Sequence, residues 1–136
     1  MWETFVEHKN IESIMHDKGL AKVGDGLVNF CYSLAKSLVL CEATGEKVRD
    51  SVLARAIRAT SIYPHMNRRT DVGRAGDAYE AIMAYLWMKG KITISDMVES
   101  LSESLDITNA TSRKREGEIA AEAFQKFLEN NIKHLP

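Results

Sequence analysis

Along nearly the whole chain apolar residues recur three and four positions apart, and strand-like alternation of β-branched residues is scarce. The pattern predicts helices. A first runs from about Glu3 to Lys18, with Trp2, Phe5, Val6, Ile11, Ile14 and Met15 as its stripe. A second spans about Leu20 to Cys41. Val23, Leu27, Phe30, Cys31, Leu34 and Leu38 follow one of its faces, and Val28, Tyr32, Ala35 and Val39 cover another. A helix apolar most of the way round belongs at the centre of a bundle. A third, about Val48 to Ile62, turns Val52, Leu53, Ala56 and Ile57 inward and Arg55 and Arg58 outward. Residues 61–76 are the least regular, broken at Tyr63-Pro64. A fourth, Gly76 to Met88, is apolar nearly throughout and stops at Gly90. A short amphipathic helix opens near Thr93, where Ser95 and Asp96 both suit an N-cap. The last covers Ser112 to His134, with Ile119, Ala123, Phe124, Phe127 and Leu128 as its stripe. The expected fold class is all-α, about six helices in a single domain over residues 1–136.

Composition narrows this reading. With 136 residues, 45% hydrophobic and 27% charged, the chain has the size and balance of a globular domain with a real core. No apolar run is long enough for a membrane span, and the first residues do not resemble a secretory signal. Cys31 and Cys41, ten residues apart on one helix, would stand about 15 Å from each other, too far for a disulfide. They read as buried thiols of a cytoplasmic protein. His8 and His16 match no zinc-ligand spacing and read as solvent-edge residues. Trp2, Trp87 and Phe124 suit either the core or an interface.

Net charge is −1, but it is unevenly spread. Residues 46–75 hold seven basic and three acidic side chains, and residues 76–112 hold two basic and six acidic. A basic flank beside an acidic centre suits a metal ion together with a phosphate. Three acids stand out further. Asp25 is the only acid from Gly19 to Cys41, and Asp77 and Glu80 are the only acids from Arg74 to Lys89. Carboxylates in such core-like helices need a partner. Spacing alone leaves two readings. Asp77-x-x-Glu80 fits a capping box and Asp25 an N-cap. Equally, positions i and i+3 share a helical face, and two such helices side by side would gather three carboxylates around a cation.

Leu20-Ala-Lys-Val-Gly-Asp-Gly-Leu-Val-Asn29 resembles the ribonuclease III signature, of the form L-E-F-L-G-D-A-V-x-N. Gly76-Asp-Ala-Tyr-Glu-Ala-Ile-Met-Ala-Tyr-Leu-Trp87 resembles that family's second acidic motif, A-D-x-F-E-A-L-I-G-A-I-Y. The resemblance covers about Gly19 to Gly90. Ala21 stands where the signature has glutamate. The compact mini-ribonuclease III subgroup resembles this chain there, with L-A-Y-I-G-D, and also lacks an appended double-stranded RNA-binding domain.

The resemblance implies a ribonuclease III-like helical domain that cleaves double-stranded or structured RNA as a homodimer with Mg²⁺, for which Mn²⁺ can substitute. It implies Asp25, Asp77 and Glu80 as metal ligands, with Asp25 and Glu80 central to catalysis. Gly24 would allow close packing at the site, and Asn29 would support Asp25. Phosphate contacts are expected from Arg68, Arg69, Arg74, Arg113 and Lys114, with a strong salt dependence because the catalytic domain must bind RNA alone. Two other readings stay open: a catalytically silent relative that binds structured RNA, motivated by Ala21, and a dimeric helical scaffold whose three acids are only caps.

Overall fold

The structure, a computed structural model, describes all 136 residues and is built of helices alone. Six α-helices follow in order: α1 (Ile11–Met15), α2 (Lys18–Leu40), α3 (Asp50–Arg58), α4 (Val72–Met88), α5 (Ile94–Ser104) and α6 (Arg113–Asn131). Short 3-10 turns at Glu3–Phe5, Tyr63–His65 and Ile132–His134 complete the chain. α4 is the axis of the bundle and packs against α1, α2 and α3, while α5 and α6 close the far side. Its Ala75, Tyr79, Ile82, Met83 and Leu86 are all buried, as expected of a helix apolar nearly all round. The Tyr79 hydroxyl donates to the Phe124 carbonyl at 2.7 Å in the core, which ties α4 to α6. Left unpaired, that buried hydroxyl would cost about 1–3 kcal/mol.

The boundaries depart from the periodicity in informative places. The expected first helix is broken. Asn10 caps a five-residue α1 by accepting from the Ser13 amide, and Phe5 is 70% exposed rather than part of a stripe. Trp2 reaches back to stack on Trp87, ring centroids 5.1 Å apart. Phe124 is wholly buried, so it belongs to the core and not to an interface. α3 ends at Arg58, whose guanidinium donates to the Thr70 carbonyl. α5 is capped by Thr93 in a reciprocal capping box with Asp96, two or three residues earlier than Ser95 or Asp96 would have placed it. Gly90 stops α4 with φ +72°, as expected. Cys31 is buried, and burial pushes its thiol up to about 11. Cys41 is exposed and terminates α2 in the left-handed region, contrary to the expected buried thiol.

α2 differs most from expectation. Only one face is buried, formed by Leu20, Gly24, Val28, Cys31, Tyr32 and Ala35. The opposite face leaves Val23, Phe30, Leu34 and Leu38 between 37% and 62% exposed. A third, polar strip holds the connection that follows. Asn29 and Ser33 accept from the amides of Val48 and Glu46, and Ser37 from that of Thr44. The helix offers an acceptor every four residues, about 6 Å along its axis. The connection offers an amide every second residue, about 6.6 Å when extended. The two spacings nearly match, so a connection without regular structure is held as if by a neighbouring strand. Lys36 adds ion pairs to Glu46 at 2.7 Å and Glu116 at 3.1 Å, and Tyr32 donates to Glu116 at 2.6 Å.

Candidate active site

The acids of α2 and α4 are not caps. α2 begins at Lys18 and is capped by Asp17, which accepts from the Leu20 amide. α4 begins at Val72 and is capped by Asp71, which accepts from the Arg74 amide. Asp25, Asp77 and Glu80 therefore lie inside their helices, beyond the first turn where a carboxylate is rewarded by free amides. The capping explanation for these residues falls away, and with it a scaffold in which they serve only that purpose.

All three line one cleft of about 890 Å³, together with Ala21, Lys47 and Asp50. Gly24 lets the two helices meet. A Cβ at that position would stand 1.8 Å from the Glu80 carbonyl oxygen, so α2 crosses α4 in backbone contact beside Glu80. The neighbouring residue, Asp25, is thereby brought within hydrogen-bonding reach of the Glu80 carboxyl. Asn29 fixes Asp25 from one turn on. Its Nδ2 donates to the Asp25 Oδ1 at 3.0 Å, while its Oδ1 accepts from the Val48 amide at 2.6 Å. Lys47, on the connection so held, donates to the Asp25 Oδ1 at 3.1 Å.

The electrostatics follow from this crowding. Glu80 is only 5% exposed, and its hydrogen-bonding partner is the Asp25 carboxyl. Burial first, then the adjacent Asp25, push its carboxyl up to about 8. Asp25 moves the opposite way, held below the usual carboxylate range by its hydrogen bond with Glu80 and then by Lys47. The pair thus shares one proton, carried on Glu80. Asp77 is raised by desolvation, then by Asp50 and Asp25. Oxygen-only donors, two of them crowded into one carboxyl pair, suit a hard divalent cation. Asp25 and Glu80 meet directly, with Asp77 at longer range; no three His, Cys, Asp or Glu side chains stand close enough to close around an ion by themselves.

A family model described as ribonuclease III matches residues 18–135. The chain belongs to the ribonuclease III family. The match extends past Gly90 through α5 and α6, further than the two motifs alone reach. No curated protein matches the chain. Membership gives this ribonuclease III domain a ribonuclease-like role and points to RNA as its partner. No helix is long and apolar enough to cross a membrane.

Of the basic residues expected at phosphates, Arg69 and Arg74 border the cleft. Arg68, Arg113 and Lys114 do not. Arg113 instead opens α6 behind its Ser112 cap, where its carbonyl accepts from Arg49. In their place Lys18, Lys22 and His16 join the rim. These follow from the true start of α2, which a Glu3–Lys18 helix concealed. Lys47 and Asp50 were also missed, because they reach the site through the connection and not through any helical period. The signal for the real caps was present. Asp17-Lys-Gly and Asp71-Val-Gly share a D-x-G pattern, in which the glycine leaves room for the capping oxygen, 3.3 and 3.5 Å from where a Cβ would stand.

Proposed function

We propose that this chain is a divalent-cation-dependent endoribonuclease that hydrolyses phosphodiester bonds in double-stranded or structured RNA, with Mg²⁺ as the natural ion and Mn²⁺ as a substitute. The observation that carries the reading is Glu80, buried and hydrogen-bonded to a second carboxyl, Asp25, beneath a basic rim. Asp25, Asp77 and Glu80 would hold the ion. Once bound, it would activate water and offset charge on the transferred phosphate. Asn29 keeps Asp25 turned to the cleft, and Arg69, Arg74, Lys18 and Lys22 take the flanking phosphates. Duplex RNA is recognised mainly through shape, 2′-hydroxyls and phosphates, which such a rim can meet.

The decisive experiment incubates long duplex RNA with the protein in Mg²⁺, in Mn²⁺ and with chelator, beside Asp25→Asn. Cleavage by the parent alone, lost with chelator, is the expected result. No cleavage in either metal overturns the proposal. A second reading, a silent RNA-binding relative, draws on Ala21 at the cleft wall and on the absence of a ready cluster of three ligands. Retained binding of duplex RNA without cutting would favour it.

A homodimer belongs to the same proposal. The exposed stripe from Val23 to Leu38 runs about 22 Å along α2. A two-fold related copy would cover its own counterpart and set two clefts toward opposite strands. Leu34→Glu is therefore expected to convert a dimer to a monomer in sedimentation velocity, with the helical circular dichroism unchanged. A monomeric parent at micromolar concentration would refute this part.

A further inference from the structure

Of the four histidines, only His16 lines the cleft. It directly follows α1, and its ring Nδ1 stands 2.7 Å from the Glu12 carbonyl oxygen, which also accepts from the His16 amide at 3.2 Å. A carbonyl has no hydrogen to give, so Nδ1 carries the ring proton and donates it. In the neutral ring Nε2 is then a bare acceptor, and no group of the protein bonds to it. The neighbouring histidines are engaged within the protein. His8 joins Ser13 and Asp17, and the His65 Nδ1 meets the Glu12 carboxylate at 2.7 Å. That last contact braces the residue whose carbonyl orients His16.

The surroundings narrow what His16 can meet. Lys18 and Lys22 stand beside it, one turn apart at the start of α2, and Met15 and Met66 give the cleft an apolar lining there. Asp17 is occupied: one oxygen caps the Leu20 amide and the other meets His8. Phosphate oxygens suit the two lysines, but they only accept, so they cannot pair with the Nε2 lone pair. Its partner must be a donor close to a phosphate. In duplex RNA that donor is the ribose 2′-hydroxyl, displayed in the shallow minor groove. DNA has none. Position also excludes a part in proton transfer. Asp25 lies about 12 Å along α2 from the Asp17 cap, whereas a catalytic acid or base must come within roughly 3 Å of the reacting atoms.

We propose that His16 Nε2 accepts a hydrogen bond from a ribose 2′-hydroxyl of the bound duplex and so selects RNA over DNA away from the cut itself. This rests on the duplex-RNA reading above and gives it a residue that recognises the sugar.

The test is binding by fluorescence anisotropy at about pH 8 with chelator present, so that no bond is cut. The probe is one duplex in two forms, all-ribose and fully 2′-fluoro; fluorine keeps the A-form shape but cannot donate. The proteins are the parent, His16→Ala, His16→Gln and Lys22→Ala. The parent is expected to prefer the all-ribose duplex. His16→Ala should weaken that duplex about fivefold, the size of one lost hydrogen bond, and leave the 2′-fluoro duplex unchanged. His16→Gln, whose amide oxygen accepts, should keep most of the preference. Lys22→Ala should weaken both forms alike, as a phosphate contact does. Equal loss on both forms in a folded His16→Ala makes the contact one to a phosphate or to a guanine amine, and overturns the proposal. So does no loss on either form, or a parent without preference; in each of these the RNA reading still stands. A parent that binds neither duplex overturns both together. Circular dichroism melts check each fold, and His16→Leu, of similar bulk and without an acceptor, takes the place of His16→Ala if that variant melts early.

Discussion

Gly24→Ala is expected to lower the melting temperature by roughly 10 °C and to abolish cation binding in the protein that remains folded, whereas Gly26→Ala is expected to raise the melting temperature slightly. The two glycines flank Asp25 and look alike in the sequence. In the structure they are opposites. A methyl group on Gly24 would lie 1.8 Å from the Glu80 carbonyl oxygen, 2.4 Å from its carbon and 2.9 Å from its Cα, all backbone atoms that no rotamer change can move. The helices must part. Overpacking of this kind typically costs 1–3 kcal/mol, and a backbone clash belongs at about 3 kcal/mol or above. For a chain of this size that is a fall of roughly 10 °C. Parting α2 from α4 also draws Asp25 away from Glu80, so the chemistry fails even where the fold survives. Gly26 has nothing within 4 Å of its would-be Cβ, and alanine there gains helix propensity of about 1 kcal/mol. Thermal melts at low protein concentration, with Mn²⁺ titration of the folded variant, check both. A Gly24→Ala protein that melts and binds like its parent would refute the close crossing.

Glu80→Gln should have the largest effect on activity and the opposite effect on stability. Loss of the buried carboxylate is expected to cut RNA cleavage by about three orders of magnitude, equivalent to ~4 kcal/mol of transition-state stabilisation. The same change should stabilise the cation-free protein at high pH. The sign follows from proton binding. Burial and then Asp25 push the Glu80 carboxyl up to about 8 in the folded chain, against 4.5 for a free glutamate, so the folded state holds its proton more tightly. Its contribution is fully present below about 4.5 and is lost as pH rises toward 8. The loss is on the order of a few kcal/mol. A cation binds the ionised form, so its affinity should climb over the same range as the proton leaves. Melting temperatures from pH 5 to 9, with and without Mg²⁺, check this: the parent should fall with pH in chelator and recover with metal, and Glu80→Gln should stay flat in both. A parent whose melting temperature does not depend on pH would show that Glu80 is not desolvated as its burial implies.

How far the sequence alone leads depends on the kind of signal. The helical period placed α2, α4 and α6 within a few residues, because each buries a stripe and the stripe repeats. It failed at the N-terminus, where Phe5 is apolar yet exposed and Asn10 restarts the chain as a capped helix. It also misjudged α2, since apolarity marks a surface that avoids water without saying whether the core or a second molecule covers it. Asp25 and Glu80 were legible as isolated acids in apolar surroundings, and Gly24 and Asn29 as their neighbours in a motif. Lys47 and Asp50 were not, because their position depends on hydrogen bonds to Asn29, Ser33 and Ser37 that no periodicity encodes. Arg113 and Lys114 misled for the converse reason: a basic cluster is visible in sequence, but the face it occupies is decided by where α6 starts.

The polar strip of α2 has a consequence for how this chain can vary. Amides of residues 44, 46 and 48 reach acceptors at 37, 33 and 29 because two unrelated repeats run side by side in step. One residue inserted or deleted between 41 and 49 would turn the paired amides outward, since extended backbone alternates at every residue. It would also carry Lys47 away from Asp25 and shift Asp50 off Gly76. An insertion within α2 would rotate everything after it by about 100°. The connection after α2 thus has no more freedom of length than a helix, although it has none of a helix's regular structure. Insertions that this domain can absorb belong elsewhere, in the exposed turn around Asn109, which holds nothing at the cleft.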